Sequence, residues 1–155
     1  MVSPKERPAT VVPPPLVYPS GLAVGWWIDR YVPLDFHGGV GLRAVALLLV
    51  IVGLILIVWA GYTIWQHHTT VNPYKGVTSL VSSGPFAFSR NPIYAGDWLI
   101  YAGISLLLKT WWTVALTPVI WWIMRYHVIA HEEAHLEAKF GDAFLQYKAR
   151  VRRWI

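Results

Sequence analysis

From Ala44 to Trp65 the chain is apolar and carries no charge. At about 1.5 Å per residue such a helix is roughly 33 Å long, enough to cross a hydrocarbon core of about 30 Å. Three other segments are shorter or less pure. Leu16 to Tyr31 is moderately apolar, interrupted by Pro19 and Gly21, with Trp26 and Trp27 near its end. Pro92 to Leu108 is apolar except for Asp97, and Trp111 to Ala130 holds Pro118, Arg125 and His127. The pattern predicts four transmembrane helices, 16–31, 44–65, 92–108 and 111–130. Only Lys109 and Thr110 separate the last two, so they are expected to form a tight antiparallel hairpin. Beyond them Leu136, Phe140, Phe144 and Tyr147 recur at helical spacing. Gly141 reads as a C-cap and Asp142 as a new N-cap, so 132–155 is expected to fold as short amphipathic helices. Met1 to Pro15, with five prolines, reads as a flexible lead-in, and 66–91 as a long polar loop with turns at Asn72-Pro73 and Ser83-Gly84-Pro85. The expected fold is one all-α integral membrane domain spanning 1–155.

Composition strengthens that reading. With 55% hydrophobic residues, 14% charged, 15% aromatic and a mean hydropathy of +0.44, the chain is neither a disordered polymer nor an ordinary water-soluble domain. The absence of cysteine excludes disulfides, thiolate-bound metal and a thiol nucleophile. A net charge of +5 suits anionic lipid or nucleic acid, and the hydropathy selects the lipid bilayer as partner. With four spans, one side holds Lys5, Arg7, Lys75, Arg90, Lys139, Lys148, Arg150, Arg152 and Arg153, and the other only Arg30, Arg43 and Lys109. That asymmetry predicts a multi-pass protein with cytoplasmic termini and a cytoplasmic 66–91 loop. Arg150 to Trp154 reads as an anchor to anionic headgroups.

Two polar stretches lie where a membrane protein should avoid them. Asn91 is suited to cap, and Pro92 to begin, the third helix; the helix start with Arg90 beside it suits a carboxylate or phosphate. The simpler alternative is a capped helix whose Arg touches lipid phosphate. The fourth span runs into Arg125-Tyr126-His127-Val128-Ile129-Ala130-His131-Glu132-Glu133. Arg125 and Glu132, seven residues apart, share a helical face, so Arg125 can balance one acid while Glu132 or Glu133 receives a cationic group. A helix emerging into water with surface acids is the plain alternative. His131 to His135 also fits the H-E-x-x-H zinc pattern. No third ligand stands in a zincin-like context, so no metal site is expected.

Asn72-Pro73, Ser83-Gly84-Pro85-Phe86, Arg90-Asn91-Pro92-x-Tyr94-x-Gly96, Glu132-Glu133-x-x-Leu136, Phe140-Gly141 and Tyr147 with Val151, in this order, closely resemble the isoprenylcysteine carboxyl methyltransferase family. Related membrane phospholipid N-methyltransferases share the Asn-Pro-x-Tyr and Glu-Glu elements. The resemblance spans about residues 69 to 155. It implies S-adenosylmethionine bound at the cytoplasmic side of the last two spans and a lipidic or prenylated acceptor entering from the bilayer. The implied catalytic residues are Arg90, Glu132 and Glu133. Those implied around the cofactor are Asn91, Pro92, Tyr94, Gly96, His131, Glu132, Glu133, Phe140 and Tyr147. The acceptor is a carboxylate or a lipid amine; the amine would also need a base, such as a carboxylate or His131. Many relatives carry His where Asn91 stands, and Asp97 after Gly96 is similar to NADPH-dependent membrane sterol reductases, the alternative enzyme class beside a non-catalytic membrane protein.

Elemental analysis of chelator-washed protein is expected to show no stoichiometric zinc. One zinc per chain, lost on His135→Ala, would establish the hydrolase reading instead.

Overall fold

A computed structural model describes residues 13–67 and 79–154. Most of the proline-rich lead-in, the Asn72-Pro73 turn and Lys75 lie outside the described residues. The elements in order are α1 (Pro14–Asp29), α2 (Val40–Gln66), a 3₁₀ turn (Gly84–Ala87), α3 (Pro92–Leu108), α4 (Trp111–Ala115), α5 (Thr117–Ile123), a π-helical segment (Met124–Ile129), α6 (Ala130–Phe140) and α7 (Asp142–Arg150). Among the described residues there is no strand, only an isolated bridge between Asp35 and Thr110. The fold is all-helical. Among the described residues two continuous stretches, Val40–Gln66 and Trp111–Phe140, are long and apolar enough to cross a membrane.

The tightest packing is α2 against α3, and small residues make it possible. A Cβ on Gly96 would lie 2.6 Å from the Ile57 side chain and 2.8 Å from the Gly53 carbonyl oxygen. One on Gly103 would lie 2.6 Å from the Ala46 carbonyl oxygen. Close backbone approach of this kind drives helix association in lipid, where apolar side chains gain nothing from leaving the solvent. The opposite face of α2 exposes Leu47, Leu48, Ile51, Ile55 and Val58, the surface a lipid-facing helix needs.

The rest of the bundle gathers around α1. Val17 and Tyr18 pack with Tyr101 of α3 and with Ile120, Met124 and Val128. At the end remote from Glu132, Thr110 accepts from the Trp112 backbone N–H at 3.2 Å and donates to Asp29 at 2.6 Å. The Trp112 indole donates to the Val32 carbonyl at 2.7 Å. These bonds fasten the α1–α2 connection to the turn before α4. A cavity of about 580 Å³ lined by Asp35, Phe36, His37, Gly38, Gly39, Leu108 and Lys109 opens at this end.

The structure departs from the sequence expectation in three places. The fourth segment is not one regular helix ending at Ala130: its hydrogen bonding changes around Pro118 and again through the π segment, and the chain continues to Phe140. Proline removes a donor and forces the first change, while i→i+5 bonding widens the second. Asn91 makes no side-chain capping bond to α3. Asp142 is the first residue of α7 rather than its cap, and Gly141, at φ +52, makes the turn.

Gly96→Val should destabilise the protein by about 1–3 kcal/mol through overpacking. Gly61→Val, where a Cβ meets nothing within 4 Å, should be much milder. Thermal melts in one detergent compare the two, and equal melting temperatures would contradict the packing argument.

Candidate functional site

Glu133 begins the site because it is the hardest group to explain: an acid only 6% exposed, one turn into α6. Both its oxygens are occupied. Arg153 donates from Nε to Oε1 at 3.1 Å and from Nη2 to Oε2 at 2.5 Å, and Arg90 Nη2 stands 3.1 Å from Oε1. A carboxylate buried alone would be penalised by several kcal/mol, and a planar guanidinium fork is the group that best offsets it. Arg90 is itself nearly enclosed, its side chain 9% exposed.

Backbone bonds hold this cluster in place. The Arg90 N–H donates to the Arg152 carbonyl at 2.9 Å, and Asn91 Nδ2 and Ser89 Oγ donate to the Arg153 carbonyl at 3.1 and 3.3 Å. The chain after α7 is therefore stitched to the chain before α3. Asn91 serves this junction rather than the helix start. The expectation of a headgroup anchor at Arg150 to Trp154 is corrected for Arg153, which turns inward, and for Val151, which is buried with Phe144 and Tyr147. Arg153 was missed in the sequence because it stands among three arginines and nothing local distinguishes the one that faces an acid.

A second polar contact sits beside the first. Tyr94 Oη donates to Glu132 Oε1 at 2.7 Å, joining the first turn of α3 to the start of α6. Glu132 lies past the expected span 111–130, in the polar half of the helix that continues to Phe140. Burial pushes its carboxyl up from an ordinary 4.5 to about 7; the Tyr94 hydrogen bond opposes the rise, and the Glu133 charge adds to it. Arg125 does not pair with Glu132. Its guanidinium lies over the rings of Trp121 and Tyr126, 5.2 and 5.6 Å from their centroids. The intervening π segment explains the change, since wider turns rotate a residue seven positions on away from the face a regular helix would give it.

The structure thus brings together Arg90, Asn91, Glu133 and the unforeseen Arg153, with Tyr94 on Glu132. It disperses the others. Gly96 faces α2. His131 is exposed. Phe140 packs with Phe144, Tyr147 and Val151, and Tyr147 donates to the Phe86 carbonyl at 2.7 Å. Burial pushes the Tyr147 hydroxyl up to about 12, against the pull of the Arg90 charge. Among the described residues no three His, Asp or Glu side chains gather as metal ligands.

An all-helical fold with lipid-facing helices and a buried, ion-paired site at one end describes a membrane-embedded protein built around polar chemistry. The sequence model of the phospholipid methyltransferase family matches residues 42–143, more than half of the chain, and the chain belongs to that family of membrane methyltransferases. Protein-S-isoprenylcysteine O-methyltransferase of Schizosaccharomyces pombe is 33% identical over 72 residues, 46% of this chain and 30% of the yeast protein. An uncharacterized protein of Haemophilus influenzae is 38% identical over 64 residues, 36% of this chain and the whole of that relative. The family match ends before Arg153, and the match to the yeast enzyme spans less than a third of that enzyme's length.

Two predictions follow from the geometry. Arg153→Ala should cost about 1.5–3 kcal/mol, because Glu133 loses its two-pronged partner and keeps only Arg90. Arg153→Lys, which keeps the charge without the fork, should fall between; chemical denaturation of the detergent-solubilised protein measures both. Glu132 holds its proton more tightly in the folded state than in the unfolded one, so its contribution to stability is present below about pH 4.5 and is lost as pH rises through about 7. Melting curves between pH 5 and 8 should show that loss, and Glu132→Gln should flatten it.

Proposed function

We propose that the protein is an S-adenosylmethionine-dependent methyltransferase acting at the cytoplasmic membrane face on a lipidic or prenylated acceptor, either a carboxylate or a lipid amine. The observation that carries the reading is Arg90: Nε and Nη1 are buried without hydrogen-bond partners, while Nη2 is held on Glu133. A buried guanidinium with unspent donors suits an anionic ligand group, because each free N–H can give a charge-assisted hydrogen bond to an oxygen. The start of α3, two residues on and lacking a side-chain cap, adds backbone N–H groups. Both features fit the carboxylate of the amino-acid end of S-adenosylmethionine.

Bound there, the cofactor supplies a methyl group on a sulfonium. In this assignment Arg90 orients the carboxylate, and Glu133 with Arg153 fixes Arg90. Glu132, positioned by Tyr94, attracts the ammonium, since its other oxygen is not used in that bond. Tyr94 contributes a ring near the sulfonium or adenine. Phe140 and Tyr147 act through the cluster they build with Phe144 and Val151, which seats α7 and the tail behind Arg90. Methyl displacement from a sulfonium needs alignment and exclusion of water more than a covalent nucleophile.

The topology belongs to the same proposal: four spans, α1, α2, α3 and the helix from Trp111, with termini cytoplasmic. Support comes from the charge asymmetry and from the contacts of Tyr94 with Glu132 and of Tyr101 Oη with the Thr113 carbonyl at 2.5 Å, which suit an antiparallel α3 and α4–α6 hairpin. A single membrane domain is proposed for 1–155.

Calorimetric titration of the detergent-purified protein should show binding of S-adenosylmethionine and not of NADPH. Arg90→Ala and Glu132→Gln should each weaken that binding by roughly 10- to 200-fold, the loss of about 1.5–3 kcal/mol for one charge-assisted contact. Binding of NADPH alone would replace the proposal with a reductase.

A further inference from the structure

The cavity at the end remote from Glu132 has no role in the site above, and its walls come from two segments held firmly together. The α1–α2 connection supplies Asp35, Phe36, His37 and Gly38, while the end of α3 supplies Leu108 and the turn after it Lys109, around about 580 Å³. That volume falls in the range of about 300–1,000 Å³ usual for small-ligand sites. The Phe36 N–H donates to the Lys109 carbonyl and the Trp111 N–H to the Leu34 carbonyl, each at 2.9 Å. The Phe36 and Trp111 rings pack at 5.2 Å between centroids. Walls fixed in this way need little ordering when a ligand enters.

The charged groups lining the cavity are unspent. Among the described residues the side chains of Asp35 and Lys109 make no hydrogen bond or ion pair, with each other or with a third group, and the His37 ring makes no hydrogen bond. Fastening this corner falls instead to Asp29, which accepts from Thr110 Oγ1 at 2.6 Å and from the Leu34 N–H at 3.1 Å. Lys109 also stands in a left-handed conformation, φ +57, which glycine adopts without strain. Its positive charge suits the C-terminal end of α3, but its ammonium bonds none of the carbonyls described there.

The level of the cavity along the bundle points to its occupant. Trp26, Trp27, Tyr31 and Trp111 are all exposed at this end, and such rings collect where hydrocarbon meets lipid headgroups. Lys109 follows Tyr94 by 15 residues, roughly 22 Å along α3, so the cavity and the Tyr94–Glu132 contact lie at opposite ends of that helix. The Lys109 ammonium and an N–H of His37 match phosphate oxygens, while the Asp35 carboxylate, an acceptor only, matches hydroxyl or ammonium hydrogens. Phe36 and Leu108 offer apolar contact to the carbons between.

We propose that this cavity is a lipid site apart from the methyl-transfer site, seating a phosphodiester headgroup whose substituent carries hydroxyl or ammonium hydrogens. Lys109 and His37 hold the phosphate, and Asp35 accepts from the substituent. The bound lipid joins the α1–α2 connection to the turn after α3, so it stabilises the folded bundle by mass action. The inference does not depend on the methyl-donor assignment.

The test is native mass spectrometry of the full chain in detergent with equal amounts of dioleoyl-phosphatidylglycerol, dioleoyl-phosphatidylethanolamine and dioleoyl-phosphatidylcholine, whose trimethylammonium has no hydrogen to donate. The parent should retain the glycerol or the ethanolamine lipid in preference to the choline lipid, and the one that predominates identifies the substituent. Lys109→Gln should lower retention by roughly tenfold, the loss of one charge-assisted contact. Lys109→Gly should lower it equally while melting no lower than the parent in lipid-free detergent, because the turn loses its strain; the loss of lipid is then not a loss of fold. Asp35→Ala should abolish the preference over the choline lipid. Lys139→Gln, which removes the same charge from an exposed position on α6, should leave retention at the parental level. No preference over the choline lipid in the parent, a preference unchanged in Asp35→Ala, or a loss in the Lys109 variants no greater than in Lys139→Gln overturns the proposal.

Discussion

The buried charge of Glu133 is the constraint on which the candidate site is built. A carboxylate 6% exposed at the end of an apolar helix needs full compensation, and the chain supplies it from two distant places, Arg90 before α3 and Arg153 after α7. Meeting that need closes the polar end of the molecule. The tail must return to the α3 start for Arg153 to reach, and the backbone bonds to Arg152 and Arg153 then fix Ser89, Arg90 and Asn91. Replacing such a cluster with apolar side chains would often cost little stability. Its value here lies in the orientation it forces on Arg90, whose remaining donors stay buried and unspent.

Two kinds of packing hold the helices that carry these groups. Between α2 and α3 backbones approach closely because Gly53, Gly96 and Gly103 present no side chain, while the outer face of α2 is left to lipid. Around α1, aromatic and branched side chains interlock: Tyr18 with Trp98 and Tyr101, Val17 with Ile120 and Met124. The first contact fixes the distance of α3 from α2, and the second fixes its rotation. Rotation decides which of its residues look into the bundle, and so places Tyr94 on the side where Glu132 lies.

The π segment links fold and chemistry in the fourth helix. Its widened turns shift every residue after Ile129 relative to a regular helix. Glu132 therefore reaches Tyr94 and Glu133 reaches the arginines, while Arg125 is left against Trp121 and Tyr126. Membership of the phospholipid methyltransferase family covers this helix and α3, so the segments that carry most of the site are also those shared with relatives.

Much of this was legible in the sequence, and the boundary falls where local physics stops. Hydropathy fixes the apolar segments, because each must bury its backbone polar groups in its own helix when placed in lipid; α3 runs over the predicted Pro92 to Leu108. Motif order marked Arg90, Glu132 and Glu133 as polar groups too costly to be idle. The sequence was silent on pairing. Seven-residue spacing assigned Arg125 to Glu132, and only the π segment shows why that fails. Arg153 read as one basic residue among several at a membrane surface, and nothing in the sequence singled out Tyr18, whose hydroxyl is buried without a hydrogen-bond partner. Which arginine meets which acid, and whether a phenol ends in a bond or without one, depends on distances between elements up to 81 residues apart, as between Asp29 and Thr110. Helices are dictated by the residues within them, but the pairing of buried charges is decided by how those helices turn and where the chain returns.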